Sequence, residues 1–222
     1  MPESTTQVGS CFCNVFRKSQ LSYPFQMHFE TNRLVLEPLS MQDYLVFESG
    51  DQPNWQARGF TNPHRHLIEG PSPLKNRIRR VKLLPQYSEI ALLLAVEKSS
   101  REIIGSAGFH DLPDEKGMIE IGFSILPEKQ NRGFGTELLL GMWRMILERV
   151  EVKILRYTVA PENEPSMHII KKFGFNLVGE QIDPEDGLEL IFELGRKEFS
   201  ERVLTSNYYV GGEGFEPPTS SV

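Results

Sequence analysis

Apolar residues in this chain follow two patterns: short runs typical of strands, and longer segments with an apolar residue at every third or fourth position, typical of helices. The runs predict seven strands, at about 34–36, 89–96, 102–110, 118–126, 153–159, 175–181 and 188–194. The second pattern predicts four helices, from 41 to about 50, over 74–84, from 133 or 136 to 149, and over 163–173. Ser40 and Asn163 stand at predicted N-caps, and Gly174 stands where a left-handed residue would end a helix.

The order of these elements, β-α-α-β-β-β-α-β-α-β-β, predicts an α+β domain. Short turns between the second, third and fourth strands favour antiparallel pairing, while helical crossovers enforce parallel neighbours only around the fourth and fifth strands. We therefore predict a mixed, mostly antiparallel sheet flanked by helices, in one domain over 28–200. For residues 1–27 and 201–222 we predict disordered arms.

Composition and charge narrow the class of protein. The formal net charge of −6 argues against a general nucleic-acid binder. The longest apolar run, 90–96, is far shorter than the roughly 18 residues that a membrane helix needs. Cys11 and Cys13, the only cysteines, are too close together to staple a fold, and no cluster beside them suggests zinc. We predict a cytoplasmic protein that uses no metal and binds neither membrane nor nucleic acid.

The stretch from Gly122 to Leu140 carries the clearest chemistry. A strand ends there in a polar, glycine-bearing turn that leads into an apolar helix. Such a turn presents free backbone N–H groups at the positive end of the helix, where phosphates bind. Gly133 and Gly135 leave room for a ligand against the main chain. The Walker A spacing is absent, and the dinucleotide fingerprint fails because Leu138 stands where its third glycine belongs.

What remains is a Gln130-x-x-Gly133-x-Gly135 motif directly after a strand. At this point the chain resembles the GNAT superfamily of acyl-CoA-dependent N-acetyltransferases, whose pyrophosphate loop has this form. Upstream, the run Glu120-Ile-Gly-Phe-Ser-Ile125 is similar to the fourth strand of the family.

Two further stretches extend the resemblance. Asn163-x-x-Ser166, followed by Lys172-Phe-Gly-Phe175, is similar to the second signature of the family. Thr31-Asn-Arg-Leu-Val-Leu-Glu-Pro-Leu39 is similar to the first strand of its RimJ/RimL-like branch. The resemblance covers about residues 29–196.

The resemblance implies acetyl-CoA as co-substrate and assigns parts of it to named residues. The main chain of Phe123, Ser124 and Ile125 would pair with the pantetheine arm as if it were another strand. Asn163 would contact the pantetheine arm or a water near it. The pyrophosphate would bind the N–H groups of one continuous loop, made of Gln130, Asn131, Arg132, Gly133, Phe134, Gly135 and Thr136.

Acetyl transfer from a thioester to an amine needs a base for the ammonium, N–H donors for the oxyanion and an acid for the leaving thiolate. Glu120 is either the base or a strand carboxylate that faces solvent or a nearby arginine, and His110 is a second candidate. The backbone N–H of Ile125 is the predicted oxyanion donor. Many family members carry an acidic Tyr where this chain has Ile170, so Ser166 either relays the proton or only caps the helix.

The segment 51–87 interrupts the resemblance and carries seven basic residues against two acidic ones. In the family this region helps to form the acceptor site. Its positive charge either attracts an acidic substrate or the 3′-phosphate of CoA, or belongs to a solvated helix face with its flanking loop.

We predict an N-acetyltransferase that moves an acetyl group from acetyl-CoA directly to a primary amine, on a protein N-terminus or a small molecule. It would act as a monomer or homodimer. The alternative is a GNAT-shaped sensor or scaffold that binds acyl-CoA without turnover. The apolar Ile170 supports this alternative, because it stands where many family members carry the acidic Tyr. A third hypothesis, a nucleotide-binding protein, predicts affinity for ATP or NAD well above that for CoA.

Overall fold

Eight strands form a single sheet in the computed structural model, which describes residues 29–69, 72–184 and 187–205. They are β1 (Phe29–Glu30), β2 (Leu34–Pro38), β3 (Leu93–Glu97), β4 (Glu102–Phe109), β5 (Met118–Ile125), β6 (Ile154–Val159), β7 (Asn176–Asp183) and β8 (Gly187–Gly195). They lie in the order β1-β2-β3-β4-β5-β6-β8-β7, and only the β5–β6 pair is parallel among these described strands. The predicted α+β class with a mixed, mostly antiparallel sheet is confirmed.

Six α-helices accompany the sheet in the described part of the chain. They are α1 (Met41–Glu48), α2 (Leu74–Leu83), α3 (Ser88–Ala91), α4 (Phe134–Ile146), α5 (Glu164–Phe173) and α6 (Arg196–Thr205). Helix α4 connects β5 to β6, and this crossover is what makes the pair parallel. The strand β1 and the helices α3 and α6 were not expected from the sequence.

The core is built around the apolar stripe of α4. All six positions that the helical spacing predicts are buried: Leu138, Leu139, Met142, Trp143, Ile146 and Leu147. The Trp143 ring packs against the rings of Phe173, Phe175 and Phe199, with centroid distances of 5.1, 4.9 and 5.9 Å. These aromatic contacts join the C-terminal half of α4 to α5 and α6.

The strand predicted over 89–96 is wrong in its first half. Ser88–Ala91 forms the short helix α3, and β3 begins only at Leu93. A 3₁₀ turn at Pro85–Tyr87 leads directly into α3 and sets its helical direction. A run of buried apolar residues shows no periodicity that separates a strand from one turn of helix.

The positive charge of segment 51–87 is largely paired. Four of its basic side chains form ion pairs: Arg58 with Glu37 and Asp43, Arg65 with Glu69, Arg80 with Asp111, and Lys82 with Glu48. Arg77 is buried, and its guanidinium donates to the Tyr87 hydroxyl and, at 2.6 Å, to the Phe109 carbonyl. These contacts give the charges structural partners, so they do not favour attraction of an anionic ligand.

Ser40→Ala is expected to lower the free energy of unfolding by about 1 kcal/mol. The Ser40 hydroxyl accepts the Asp43 N–H at 3.1 Å, and the Asp43 carboxylate accepts the Ser40 N–H at 2.8 Å, so the predicted cap is a reciprocal capping box. Urea denaturation measures the change. Ser49→Ala removes an exposed hydroxyl at the other end of α1 and should lower the free energy of unfolding by less. Equal losses in the two variants would show that the capping box contributes no more than an exposed hydroxyl.

The predicted arms fall mostly outside the described residues. Residues 1–28 and 206–222 are not described, and Cys11 and Cys13 lie among them. Helix α6 extends past the predicted domain end at 200 to Thr205. None of the helices in the described ranges has the length and apolar character to cross a membrane.

Candidate active site

Strands β5 and β6 separate at the centre of the sheet. Their parallel pairing runs from Met118 opposite Ile154 to Ile121 opposite Tyr157. Beyond that point β5 continues to Ile125, paired only with β4 on its other side. A gap therefore opens between β5 and β6, and the last four residues of β5 form one of its edges. We call this the strand gap.

Backbone alternation determines which main-chain groups of β5 face the strand gap. The His110 N–H donates to the Glu120 carbonyl at 2.9 Å, so the even-numbered residues of β5 bond to β4. The main-chain groups of Phe123 and Ile125 consequently point toward the gap, whereas those of Ser124 point toward β4. Of the three residues predicted to pair with a pantetheine arm, Phe123 and Ile125 therefore have main-chain groups available for it, and Ser124 does not.

The turn after β5 brings the predicted phosphate-binding residues to the start of α4. Gly133 caps the helix with φ 75°, and Asn131 also has a positive φ of 58°. No side chain in the described part of the chain caps this helix. The N–H groups of Phe134, Gly135 and Thr136 precede the first intrahelical bond, so they are open at the positive end of the helix dipole. This arrangement suits an anionic group.

Gln130 and Gly135 tie this turn to the strand gap. The Gln130 side-chain amide donates to the Ile125 carbonyl at 2.9 Å, which leaves the Ile125 N–H as the group that faces the gap. A Cβ atom at Gly135 would lie 3.2 Å from the Phe123 ring and 3.6 Å from the Ile169 side chain. The start of α4 therefore approaches both β5 and α5 closely, and Gly135 is needed for packing as well as for ligand access.

Arg33, in the turn between β1 and β2, lies across the start of α4. Its guanidinium donates to the Arg132 carbonyl at 2.9 Å and to the Glu137 carboxylate at 2.7 Å. The same group lies over the Phe134 ring, 4.2 Å from its centroid. Arg33 Nη2 is 3.4 Å from the position of a Cβ at Gly133, so the guanidinium, whose Nε is paired with Glu137, keeps a second N–H edge beside the open N–H groups. Sequence analysis did not identify this residue as part of the site.

Helix α5 begins next to the same gap. The Asn163 side-chain oxygen caps α5 by accepting the Ser166 N–H at 3.1 Å. The Tyr157 hydroxyl donates to Ser166 Oγ at 2.7 Å, and both side chains are buried. The Tyr157 ring packs against the Phe123 ring at a centroid distance of 5.8 Å. The two hydroxyls therefore lie against the strand that borders the gap.

Tyr157 was not among the predicted site residues. Burial raises the pKa of its hydroxyl to about 12, although the hydrogen bond to Ser166 opposes this shift. The hydroxyl is therefore protonated at neutral pH and can act as a donor. Ile170 stands where many family members carry a Tyr, and its side chain is buried in the core. Tyr157 thus supplies a phenol near Ser166 from β6 instead of from α5.

Glu120 and His110 come together on the face of the sheet opposite α4, because even-numbered side chains of β5 point there. Glu120 Oε1 lies 3.6 Å from His110 Nδ1. Both line a cleft of about 380 Å³ that also contains Arg80, Asp111 and the apolar side chain of Leu112. Titratable groups with an apolar wall are typical of a binding cleft.

A second imidazole, unexpected from the sequence, lies against β4. His66 Nε2 is 2.9 Å from Oγ of the buried Ser106, whose register partner on β5 is Ser124. Burial lowers the pKa of His66 to about 4, so the ring is neutral at physiological pH. This pair forms a neutral hydrogen-bonded contact between the loop before α2 and the sheet.

The family model described as acetyltransferase (GNAT) domain matches residues 33–176. The chain belongs to the GNAT acetyltransferase family. The match contains β5, the glycine turn, α4 and α5, and so it includes the whole strand gap. It confirms the predicted family and, with it, the predicted class of acetyltransferase.

Two curated relatives from Bacillus subtilis (strain 168) are named as uncharacterized N-acetyltransferases. YoaA is 29% identical over 157 residues, which cover 68% of this chain and 83% of YoaA. YjdG is 33% identical over 84 residues, which cover 38% of this chain and 50% of YjdG. The chain thus matches half the length of YjdG and most of YoaA, and both names point to transfer onto nitrogen without stating the acceptor.

Solved structures show the same fold. The ribosomal-protein-S5-alanine acetyltransferase of Vibrio fischeri is 15% identical, and the alignment covers 77% of this chain and 97% of that one with a TM-score of 0.55. RimJ of Mycobacterium smegmatis, solved in complex with CoA-disulfide, is 17% identical, with coverage of 77% and 88% and a TM-score of 0.51. These neighbours share the predicted fold.

Metal ligation is not supported by any cluster in the part of the chain that the structure describes. No group of three or more His, Cys, Asp or Glu side chains in those ranges is placed to hold a metal ion.

Proposed function

We propose that the protein transfers an acetyl group directly from acetyl-CoA to a primary amine. The observation that carries this proposal is the strand gap, where the open main chain of β5 meets an uncapped helix start. Acetyl-CoA is the co-substrate of the family to which the chain belongs. The cleft with Glu120 and His110 lies on the other face of the same strand, so the two substrates would approach β5 from opposite sides.

On the donor side, the pantetheine arm would lie in the strand gap and bond to the main chain of Phe123 and Ile125. The pyrophosphate would bind the N–H groups at the start of α4, between Gln130 and Thr136. The Asn163 side-chain oxygen is occupied as a helix cap, so its amide nitrogen is the part that would contact the pantetheine arm or a water.

During transfer, the Ile125 N–H would donate to the thioester oxygen, on which negative charge develops as the amine attacks. The Ser166 hydroxyl would protonate the departing thiolate. Because the Tyr157 hydroxyl donates to Ser166 Oγ, the proton of Ser166 is not used in that bond and would be available to the thiolate. Tyr157 would therefore act as a positioning residue that orients the acid.

The acceptor is proposed to be a primary amine that arrives as an ammonium. The Glu120 carboxylate lines the cleft on the acceptor face, where Asp111 is paired with Arg80, and the negative charge of Glu120 favours a cation there. Deprotonation would take place at the pair of Glu120 and His110. A protein N-terminus and a small-molecule amine both satisfy this chemistry.

An acceptor screen tests the proposal. Thiol release from acetyl-CoA is followed with peptides that begin with Ala or Ser, a peptide whose only amine is a Lys side chain, and spermidine. Acceptor-dependent release, with the acetylated product seen by mass spectrometry, is expected for at least one amine. Tight CoA binding without release would instead support the sensor or scaffold, which the apolar Ile170 favours. Tighter binding of ATP or NAD than of CoA would support the nucleotide hypothesis.

Arg33→Ala is expected to weaken CoA binding about tenfold, since one charge-assisted contact contributes roughly 1.5 kcal/mol. The change removes the fixed charge beside the helix start and the bonds to Arg132 and Glu137. Isothermal titration with CoA measures the affinity. Arg149→Ala, which breaks an ion pair with Glu89 away from the turn, serves as the control and should bind CoA normally. Equal affinities for both variants would remove Arg33 from the site.

We further propose that the enzyme acts in the cytoplasm, as a monomer or homodimer, without a membrane or nucleic acid as partner. Two closely spaced cysteines in the whole sequence and a net charge of −6 support this setting.

A further inference from the structure

The His110 imidazole lies between the Glu120 carboxylate and the strand gap. A Cβ atom at Gly122 would lie only 2.8 Å from His110 Nε2, so this ring nitrogen is directly above Gly122. Gly122 is the first residue of β5 beyond the last position paired with β6. His110 Nε2 therefore reaches toward the place where the strands separate, and the ring can sit there only because residue 122 has no side chain.

Glu120 approaches the other nitrogen of the same ring. Its Oε1 is 3.6 Å from His110 Nδ1, and its carboxylate is only 21% exposed, whereas the His110 side chain is 51% exposed. This distance is longer than a hydrogen bond, but the negative charge on that side favours the tautomer with its proton on Nδ1, whose Nε2 is able to accept a proton. Along the surface, the Glu120 carboxylate is thus followed by the His110 imidazole and then by the strand gap.

We infer that His110 Nε2 is the base that deprotonates the acceptor amine, and that Glu120 is a positioning residue that orients the ring and balances its charge. This inference rests on the proposed acetyl transfer and assigns separate roles to Glu120 and His110 in it.

The ammonium gives one proton to His110 Nε2, and the neutral amine forms a C–N bond to the thioester carbonyl carbon. The C–S bond then breaks, and the thiolate gains a proton from Ser166. The nitrogen loses its second proton to water, and a proton from water restores the Ser166 hydroxyl, so the products are the acetamide and the CoA thiol. The imidazolium, paired with Glu120, returns its proton to solvent, and one proton is released per turnover.

Charged groups around His110 determine when its ring is a base. Partial burial of the ring among its neighbours, although about half of the side chain is exposed, lowers the pKa of His110. The Arg77 guanidinium from α2 lowers it further, and the Glu120 carboxylate opposes both. Arg80 and Asp111 also line this cleft, as an ion pair with each other, and the Tyr87 hydroxyl donates to the His110 carbonyl at 2.9 Å. The ring is thus neutral at pH 7, and its base form is lost as the pH falls through the lowered pKa.

Two variants separate the roles of the pair. His110→Gln should lower kcat/KM about 10²- to 10⁴-fold, the usual contribution of a general base. It should also remove the acid limb of the pH profile, which is the fall in kcat/KM at low pH as the base becomes protonated. Glu120→Gln should cost less and move the acid limb to lower pH, because the carboxylate that raises the His110 pKa is gone. An exposed imidazole on α5 gives the control, and His168→Gln should keep the profile of the unsubstituted protein.

The assay uses acetyl-CoA with an Ala-initiated hexapeptide and with spermidine. If Glu120→Gln removes the limb while His110→Gln keeps it, Glu120 is the base and the inference is overturned. An unchanged limb in both variants overturns it as well. If the unsubstituted protein releases no thiol with any amine, the proposed function fails instead.

NMR titration of His110 in the full chain provides a readout that needs neither turnover nor a folded His110 variant. The ring is expected to titrate below pH 6.5, its usual value, and at still lower pH in Glu120→Gln. A His110 that is protonated at pH 7, or that titrates identically with and without the Glu120 carboxylate, contradicts the inference.

Discussion

Gly135→Glu is expected to weaken CoA binding by at least about 100-fold, whereas Gly135→Ala should retain most of the affinity. The N–H groups of Phe134, Gly135 and Thr136 are open at the start of α4 and would hold the pyrophosphate. A glutamate side chain would place a negative charge there and cover those donors. Losing two charge-assisted hydrogen bonds at about 1.5 kcal/mol each corresponds to a factor of roughly 100. Isothermal titration with CoA measures the effect.

The alanine variant makes this comparison specific. A Cβ atom at residue 135 meets the Phe123 ring at 3.2 Å in both variants, so the packing cost is shared. Any difference in affinity then comes from the longer, charged side chain. Thermal unfolding should show both variants folded, and equal affinity of both for CoA would mean that the phosphate binds elsewhere.

Ser166→Ala is expected to lower kcat about 100-fold and to leave the dissociation constant of CoA unchanged. The buried Ser166 hydroxyl is proposed to protonate the thiolate, a step that follows binding. Tyr157→Phe should give an intermediate loss, because it keeps the Ser166 hydroxyl and removes only its oriented partner. Single-turnover kinetics with acetyl-CoA separates this loss from product release.

Ser200→Ala is the control for these hydroxyl deletions, since it removes a partly buried hydroxyl on α6 that donates to the Arg196 carbonyl at 2.9 Å, away from the strand gap. It should retain kcat. If Ser166→Ala also retains kcat, Ser166 serves only as a residue of the first turn of α5, and the thiolate takes its proton from solvent.

The strand, glycine turn and helix of the proposed donor site were predictable because their determinants are close together in sequence. A strand that ends in a glycine turn and leads into an apolar helix places backbone donors at the helix start whatever the rest of the fold does. The α4 stripe and the caps at Ser40, Asn163 and Gly174 are equally local, and the structure confirms them.

What the sequence did not reveal depends on contacts between distant residues. Arg33 and Glu137 are 104 positions apart, and no local pattern connects the turn after β1 to the start of α4. Tyr157 occupies an inward position of a strand with alternating apolar and polar residues. In the sequence, a functional tyrosine at such a position looks the same as an aromatic residue that only fills the core. Its role emerges only when α5 places Ser166 beside it.

Strand partners also correct a detail of the predicted site. From the sequence, Phe123, Ser124 and Ile125 were equivalent main-chain partners for a pantetheine arm. Once β4 pairs with the even-numbered residues of β5, Ser124 is used within the sheet and only its neighbours face the strand gap. Register therefore decides which amides are available to a ligand, and register is a property of the assembled sheet.

Amide hydrogen exchange with and without CoA tests the central claim most directly. Bound CoA should slow exchange at Phe123 and Ile125, which face the strand gap, and at the three open N–H groups at the start of α4. Ser124 is the internal control, because its N–H already bonds to β4 and should change little. Unchanged exchange at Phe123 and Ile125 in the presence of saturating CoA would contradict binding in the strand gap.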